Sequence, residues 1–393
     1  MVHILLVIIY ITFISLGLPD SLLGATWPSM YEVLNVPIFY AGMISALITI
    51  GTIISSLLSG RVVRKFGTGL TIAISVGMTA TALFGFSLSR SFIALCLWAI
   101  PYGLGAGAVD AALNNFVALH YKAKHMNYLH SFWGVGATLG PYIMGLSLTG
   151  NLGWYHGYRT ISLIQIALTM ILIISLPMWK KSPDQKIDTH NVTPHVPYKA
   201  FIHLPIAKHT LVAFFCYSSV EQITGLWGSS YMVLKKGIPP QDAASFIALY
   251  FLGITVGRFV SGLLTSALAT KNIMRLGEGL ITLGVIIIFF STTNTALLSG
   301  FVLIGLGCAP IFPSLLHQTP EKFGKQASIS MMGLQMASAY LGATISPPLA
   351  GYITEKIGIT IYPIILLLFT AIMIVLIELS NRTIHSHQIV AGE

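Results

Sequence analysis

The chain of 393 residues is 55% hydrophobic and only 8% charged, with a mean hydropathy of +0.81. Soluble domains carry about 25% charged residues, so this composition cannot build a water-facing surface and most of the chain must sit in lipid. The net charge of +9 does not mark a nucleic-acid binder, because the basic residues lie in short loops between apolar runs, without interleaved aromatics.

Apolar segments of about 20 residues, the length a helix needs to cross the hydrocarbon core, are predicted twelve times. Their limits are 3–26, 38–60, 68–88, 91–118, 125–150, 158–178, 208–234, 241–268, 273–291, 295–318, 325–354 and 359–380. Only helices satisfy their own backbone polar groups in lipid over such lengths, which predicts an all-α membrane protein. Span 1 could pass for a signal-peptide core at 4–18, but it lacks a basic leader and a small-residue cleavage site and reads as a retained span. It closes on "GLPDSLLGATWP" (17–28), where Asp20 is the only charge in the first 31 residues. Pro19 removes a backbone hydrogen bond beside that acid.

Span 4 holds "GLGAGAVDAALNNF", in which Gly103, Gly105 and Gly107 thin the helix before Asp110. Asn114 lies four residues on and shares the face of Asp110, so a carboxylate and an amide point the same way. That pair suits sugar hydroxyls, which need acceptors and donors together. Asn115, His130 and Trp133 follow as candidate cavity-lining groups, and Trp133 and Trp227 are the candidates for stacking on a sugar face. Between spans 6 and 7 lies the longest hydrophilic segment, from Lys180. It divides an N-terminal six-helix bundle (1–178), a central loop (179–207) and a C-terminal six-helix bundle (208–393). Its Asn191-Val-Thr193 reads as a chance glycosylation motif on a cytoplasmic loop.

Span 7 opens a polar face with Glu221, Gln222, Trp227 and Tyr231, and span 8 carries Arg258 in "GITVGRFVSG". Arg258 is a candidate counter-charge for Glu221 or Asp110. Glu278 in span 9 reads as a snorkelling residue and His317 in span 10 as solvated packing. Gln318, Gln335 and Tyr340 complete the polar positions of the later spans. The cysteines Cys96, Cys216 and Cys308 all lie in apolar segments without metal-ligand or disulfide spacing. No Walker loop or zinc motif is present, so no cofactor is implied beyond a coupling ion, a proton or alternatively sodium.

Placing the N-terminus in the cytoplasm puts fifteen Lys and Arg on that side and five on the other. That bias predicts a multi-pass protein of the cell membrane with both termini cytoplasmic. The halves also repeat in parallel register. Span 5 has "GATLGPYIMG" (136–145) and span 11 "GATISPPLAG" (342–351), while Gly103 and Gly105 match Gly305 and Gly307. Asp20, Gly24, Trp27 and Tyr31 correspond, with a one-residue slip, to Glu221, Gly225, Trp227 and Tyr231.

Twelve spans, a parallel six-plus-six repeat, a long central loop and a basic loop after span 2 resemble the major facilitator superfamily. That resemblance implies two parallel-related six-helix bundles. The superfamily's loop signature Gly-x-x-x-Asp-Arg-x-Gly-Arg-Arg/Lys is met at 60–69 by "GRVVRKFGTG", with both glycines in place, Arg64 instead of the acid and Thr68-Gly69 instead of the final basic pair. More narrowly, an acid before a Leu-Leu-Gly stretch in span 1 and an acid with Asn at i+4 in span 4 resemble the fucose:proton symporter branch and its sodium-glucose relatives. The resemblance implies proton coupling at Asp20, and substrate and proton handling at Asp110.

Each ionised group at mid-bilayer costs about 2.5–3.5 kcal/mol, so Asp20, Asp110, Glu221 and Arg258 must face water, pair, or exchange a proton. The reading is a proton-coupled symporter of a sugar or similar small polar solute, working as a monomer in the bilayer. Its candidate coupling groups are Asp20, Asp110 and Glu221, with Arg258 as charge partner. Its candidate substrate contacts are Asp110, Asn114, Asn115, His130, Trp133, Gln222, Trp227, Tyr231 and Gln335. The alternatives are a proton-coupled efflux antiporter, whose Gly-x-x-x-Gly-Pro-x-x-Gly-Gly signature span 5 meets except at Met144, and a polytopic enzyme or receptor. An enzyme is disfavoured because the acids lie at depth on spans 1, 4 and 7 instead of clustering at one interface.

Overall fold

The computed structural model describes residues 2–121, 123–179, 204–265 and 267–390; most of the predicted central loop and its Asn191 motif lie outside them. The described residues are helical, with no strand among them. The first six spans are α1 (Val2–Asp20) with α2 (Leu22–Val33), α3 (Tyr40–Phe66), α4 (Thr68–Leu88), α5 (Phe92–His120), α6 (Ala123–Thr149) and α7 (Trp154–Trp179). The second six are α8 (Pro205–Lys236), α9 (Pro240–Leu264), α10 (Thr270–Phe290), α11 (Asn294–His317) with the short α12 (Thr319–Phe323), α13 (Lys325–Ile357) and α14 (Tyr362–Val390). The described residues therefore contain the predicted twelve spans.

Among the described residues, nine spans are long and apolar enough to cross a membrane on hydropathy alone. The other three are α6, α8 and α13. They dilute their apolar residues with Gly, Ser, Thr, His and Gln, because those helices present polar groups inside the protein. The first span is longer than predicted and is broken at Ser21, directly after Pro19-Asp20. Pro19 lacks the amide proton that would continue the ladder, and the break leaves Asp20 at a helix end.

The halves share capping as well as glycines. Ser91 caps α5 by accepting from the Ala94 amide, and Thr293 caps α11 by accepting from the Ala296 amide, both at 3.3 Å. These caps are 202 positions apart, the same offset that relates Gly103 to Gly305. Each cap satisfies one of the orphan amides at a helix start.

The structure contains two compact units. Unit one holds the described residues of Met1–Gln185 with Gly225–Leu252 and Pro347–Thr360, and unit two holds those of Lys186–Thr224, Gly253–Ser346 and Ile361–Glu393. In unit one α1 packs along α6, α3 along α5, and α4 along both α5 and α7. The α3–α5 seam depends on small residues: a Cβ placed on Gly103 would lie 2.2 Å from the Ile48 carbonyl oxygen. Thr52 and Ser56 of α3 reach across that seam to the carbonyls of Gly103 and Gly107, at 3.3 and 3.1 Å. Gln165 of α7 ties three spans together, donating to the Ser15 carbonyl at 2.7 Å and accepting from Thr79 at 2.9 Å. In unit two α10 packs along α11 and α14.

Unit one also includes one end of each of three later spans. A Cβ on Gly24 would fall 2.2 Å from the Gly225 carbonyl oxygen, and one on Gly42 would fall 2.5 Å from Pro348. Trp227 donates from Nε1 to the Pro347 carbonyl at 3.0 Å.

Candidate functional site

From Ser15 to Pro28 every residue of the first span is buried except Asp20. A bare carboxylate is costly in hydrocarbon, so Asp20 needs polar partners inside the protein. Two donors hold the group. Tyr102 of α5 donates its hydroxyl to Oδ1 at 2.9 Å, and Trp133 of α6 donates Nε1 to Oδ2 at 2.8 Å. Both are neutral, so a proton can reach or leave Asp20 without an ion pair being broken. The Tyr102 ring is itself buried and set edge-on to Phe86, which fixes its hydroxyl.

Asp110 lies on the same helix as Tyr102. Asn114 donates from one amide nitrogen to the Asp110 carbonyl at 3.0 Å and to its carboxylate Oδ1 at 2.9 Å. The predicted i, i+4 pair therefore exists as a hydrogen-bonded unit. Asn115 and His130 are exposed, and the His130 ring stands edge-on to Phe13 at 5.8 Å.

In unit two Glu221 accepts a hydrogen bond from Tyr217, one helical turn earlier on α8. Glu221 and Tyr217 therefore form a second polar pair, on the first span of the second half. Gln222 beside it is exposed. The remaining predicted contacts are enclosed. Gln335 is fully buried and accepts from Thr319 at 3.0 Å, while Trp227 and Tyr231 are also buried, with Lys236 over the Tyr231 ring at 5.7 Å. In this structure those three side chains present almost no surface to a solute.

Two tyrosines at these acids are absent from the predicted set. Tyr217 is legible in the sequence, because it stands four residues before Glu221 and so shares its face. Tyr102 follows Pro101 in an apolar run, and its only signal is that a buried phenol needs a partner.

Twelve spans in two repeated sets, with acids held inside spans 1, 4 and 7, define a multi-pass membrane transporter and not an enzyme. The family model for the Major Facilitator Superfamily matches residues 9–239 and 210–386, and the chain belongs to that superfamily. It is 22% identical over 417 residues to "Bypass of stop codon protein 6" of Saccharomyces cerevisiae, covering 96% of this chain and 82% of that protein. To the glucose/mannose transporter GlcP of Bacillus subtilis it is 23% identical over 384 residues, covering 95% and 93%. Its fold is similar to a crystal structure of a variant of the nucleoside transporter NupG, with a TM-score of 0.76 at 16% identity over 95% of this chain and 98% of that one. A bacterial homologue of the lysosomal transporter Spinster gives a TM-score of 0.73 at 12% identity, covering 97% of each chain.

Proposed function

We propose that the protein is a proton-coupled symporter of a sugar or similarly small polar solute, working as a monomer by alternating access in the cell membrane with both termini in the cytoplasm. The observation that carries this reading is the Asp20 carboxylate, accessible within a buried helix and held by two neutral donors. Dry surroundings favour the protonated carboxyl and a nearby cation or water favours the ionised one, so a change in access changes proton occupancy. Asp110 with Asn114 supplies an acceptor and a donor side by side for a solute hydroxyl. Likeness to a glucose/mannose transporter supports the solute class.

The test is uptake into liposomes holding the purified protein, with a panel of labelled sugars and nucleosides under imposed proton or sodium gradients. Accumulation of a sugar driven by an inward proton gradient is expected. If none of the panel accumulates under either gradient, the symport reading is wrong.

A further inference from the structure

Unit two carries a charged groove that the transport reading leaves unused. It has a volume of about 530 Å³ and is lined by Arg275, Glu278, Thr282, Leu283 and Ile286 of α10, with Glu378 of α14. Arg275 is committed to Glu378 as a two-pronged pair, Nε to Oε1 at 2.7 Å and Nη2 to Oε2 at 2.8 Å. Glu278 is only 4% exposed, and its Oε1 has no hydrogen-bond partner. A buried carboxylate oxygen without a donor is costly, and the residue that carries it lines the groove.

The lining side chains supply one cation and two carboxylates. Lys322 does not line the groove, and its Nζ donates to Ser380 at 3.0 Å. A ligand that completes this set brings a positive N–H donor to Glu278. The Arg275 side chain remains 50% exposed, with Nη1 available to an incoming oxygen. Away from the charges the wall turns apolar: Leu283 and Ile286 are 49% and 41% exposed on a helix that crosses the membrane, and so face lipid. Arg275 and Glu278 lie about 8 and 12 Å along α10 from its start, and the apolar wall lies further along the same helix.

We propose that this groove binds an aminophospholipid, with its primary ammonium at the Glu278 carboxylate, its phosphate at Arg275 and an acyl chain along Leu283 and Ile286. A quaternary ammonium headgroup has no N–H to give, and an anionic headgroup would meet two carboxylates. The site shares no residue with the group around Asp20 and Asp110, so it stands whatever solute is transported.

The test is native mass spectrometry of the full-length protein, delipidated in detergent and exposed to equimolar phosphatidylethanolamine, phosphatidylcholine and phosphatidylglycerol. Phosphatidylethanolamine is expected to be retained about tenfold more strongly than either other lipid, the effect of one charge-assisted hydrogen bond. Glu278→Gln should bring it down to the level of phosphatidylcholine. The same variant should keep or raise the lipid-free Tm, because it removes an orphaned charge. Ile286→Trp, which fills the apolar end without touching a charge, should also reduce retention. Soluble glycerophosphoethanolamine should not compete at the lipid's own concentration. Equal retention of the three lipids, preference for phosphatidylglycerol, effective competition by the soluble headgroup, or full retention by both variants overturns the proposal.

Discussion

Trp133 Nε1 lies 2.8 Å from Asp20 Oδ2 and joins the fifth span to the break in the first. Its indole is a hydrogen-bond donor to the acid, whatever further contact its ring offers a solute. Trp133→Phe keeps an aromatic ring and removes the donor, so it separates the two roles. The variant should lose about tenfold or more in proton-driven uptake, since a hydrogen bond to a charged group contributes about 1.5–3 kcal/mol. In the background of Asp20→Asn the same change should cost little, because the two residues act as one unit. Because Asp20→Asn no longer accumulates solute but still exchanges it, initial counterflow rates of the four proteins close this double-mutant cycle. Additive losses would mean that Trp133 acts on the solute and not on Asp20.

Asp20→Asn leaves an amide that still accepts from Tyr102 and Trp133 but cannot bind and release a proton. The variant should fail to concentrate solute under a proton gradient and yet exchange labelled for unlabelled solute across the membrane. Counterflow and accumulation assays on one liposome preparation check this. Undiminished accumulation removes Asp20 from coupling.

Asp110→Asn should abolish solute binding with expression and Tm retained, because the substituted side chain and Asn114 would then present two amides where a carboxylate acceptor is needed. Asn114→Leu should weaken binding about tenfold, as expected for loss of a hydrogen-bonding group facing a polar ligand. Isothermal titration with the solute found in the liposome panel measures both. Wild-type affinity in Asp110→Asn would place the solute elsewhere.

Spans, repeat and acids were legible because lipid allows few solutions. A charge or an i, i+4 polar pair inside a 20-residue apolar run can hardly be accidental. The Asp110–Asn114 pair could therefore be read directly, while the Tyr102–Asp20 and Trp133–Asp20 contacts could not. Those contacts join residues 82 and 113 positions apart, and one sequence carries no signal for which helix faces meet. The same blindness applies to Trp227, Tyr231 and Gln335. Their residue types suit a binding face equally well as a packed seam, and only the burial of Trp227 against Pro347 and of Gln335 against Thr319 separates the two.

Gly103 and Gly262 make a matched contrast. A Cβ on Gly103 would meet backbone of α3 at 2.2 Å, whereas one on Gly262 would meet nothing within 4 Å. Gly103→Ala forces α3 and α5 apart and should cost about 1–3 kcal/mol. Gly262→Ala should be neutral or stabilising by up to about 1 kcal/mol, through helix propensity. Thermal denaturation in detergent resolves the two, and equal Tm values would refute the α3–α5 seam.

Gly145 at the end of "GATLGPYIMG" packs against Ser245 of α9, where a Cβ on Gly145 would lie 3.1 Å from the Ser245 Cβ. That is slightly under the separation of about 3.5–4.5 Å between disulfide Cβ atoms, so a small shift of either helix lets the pair Gly145→Cys and Ser245→Cys close. The native cysteines, Cys96, Cys216 and Cys308, lie elsewhere. If solute enters by parting these helix ends, the oxidised double variant should lose uptake and dithiothreitol should restore it. Each single variant should transport normally. A protease site placed in the segment 180–203 reports the cross-link, because the two halves then stay joined on a non-reducing gel only through the disulfide. Complete cross-linking with full uptake would mean that α6 and α9 remain in contact throughout the cycle, and the entry path would have to open elsewhere.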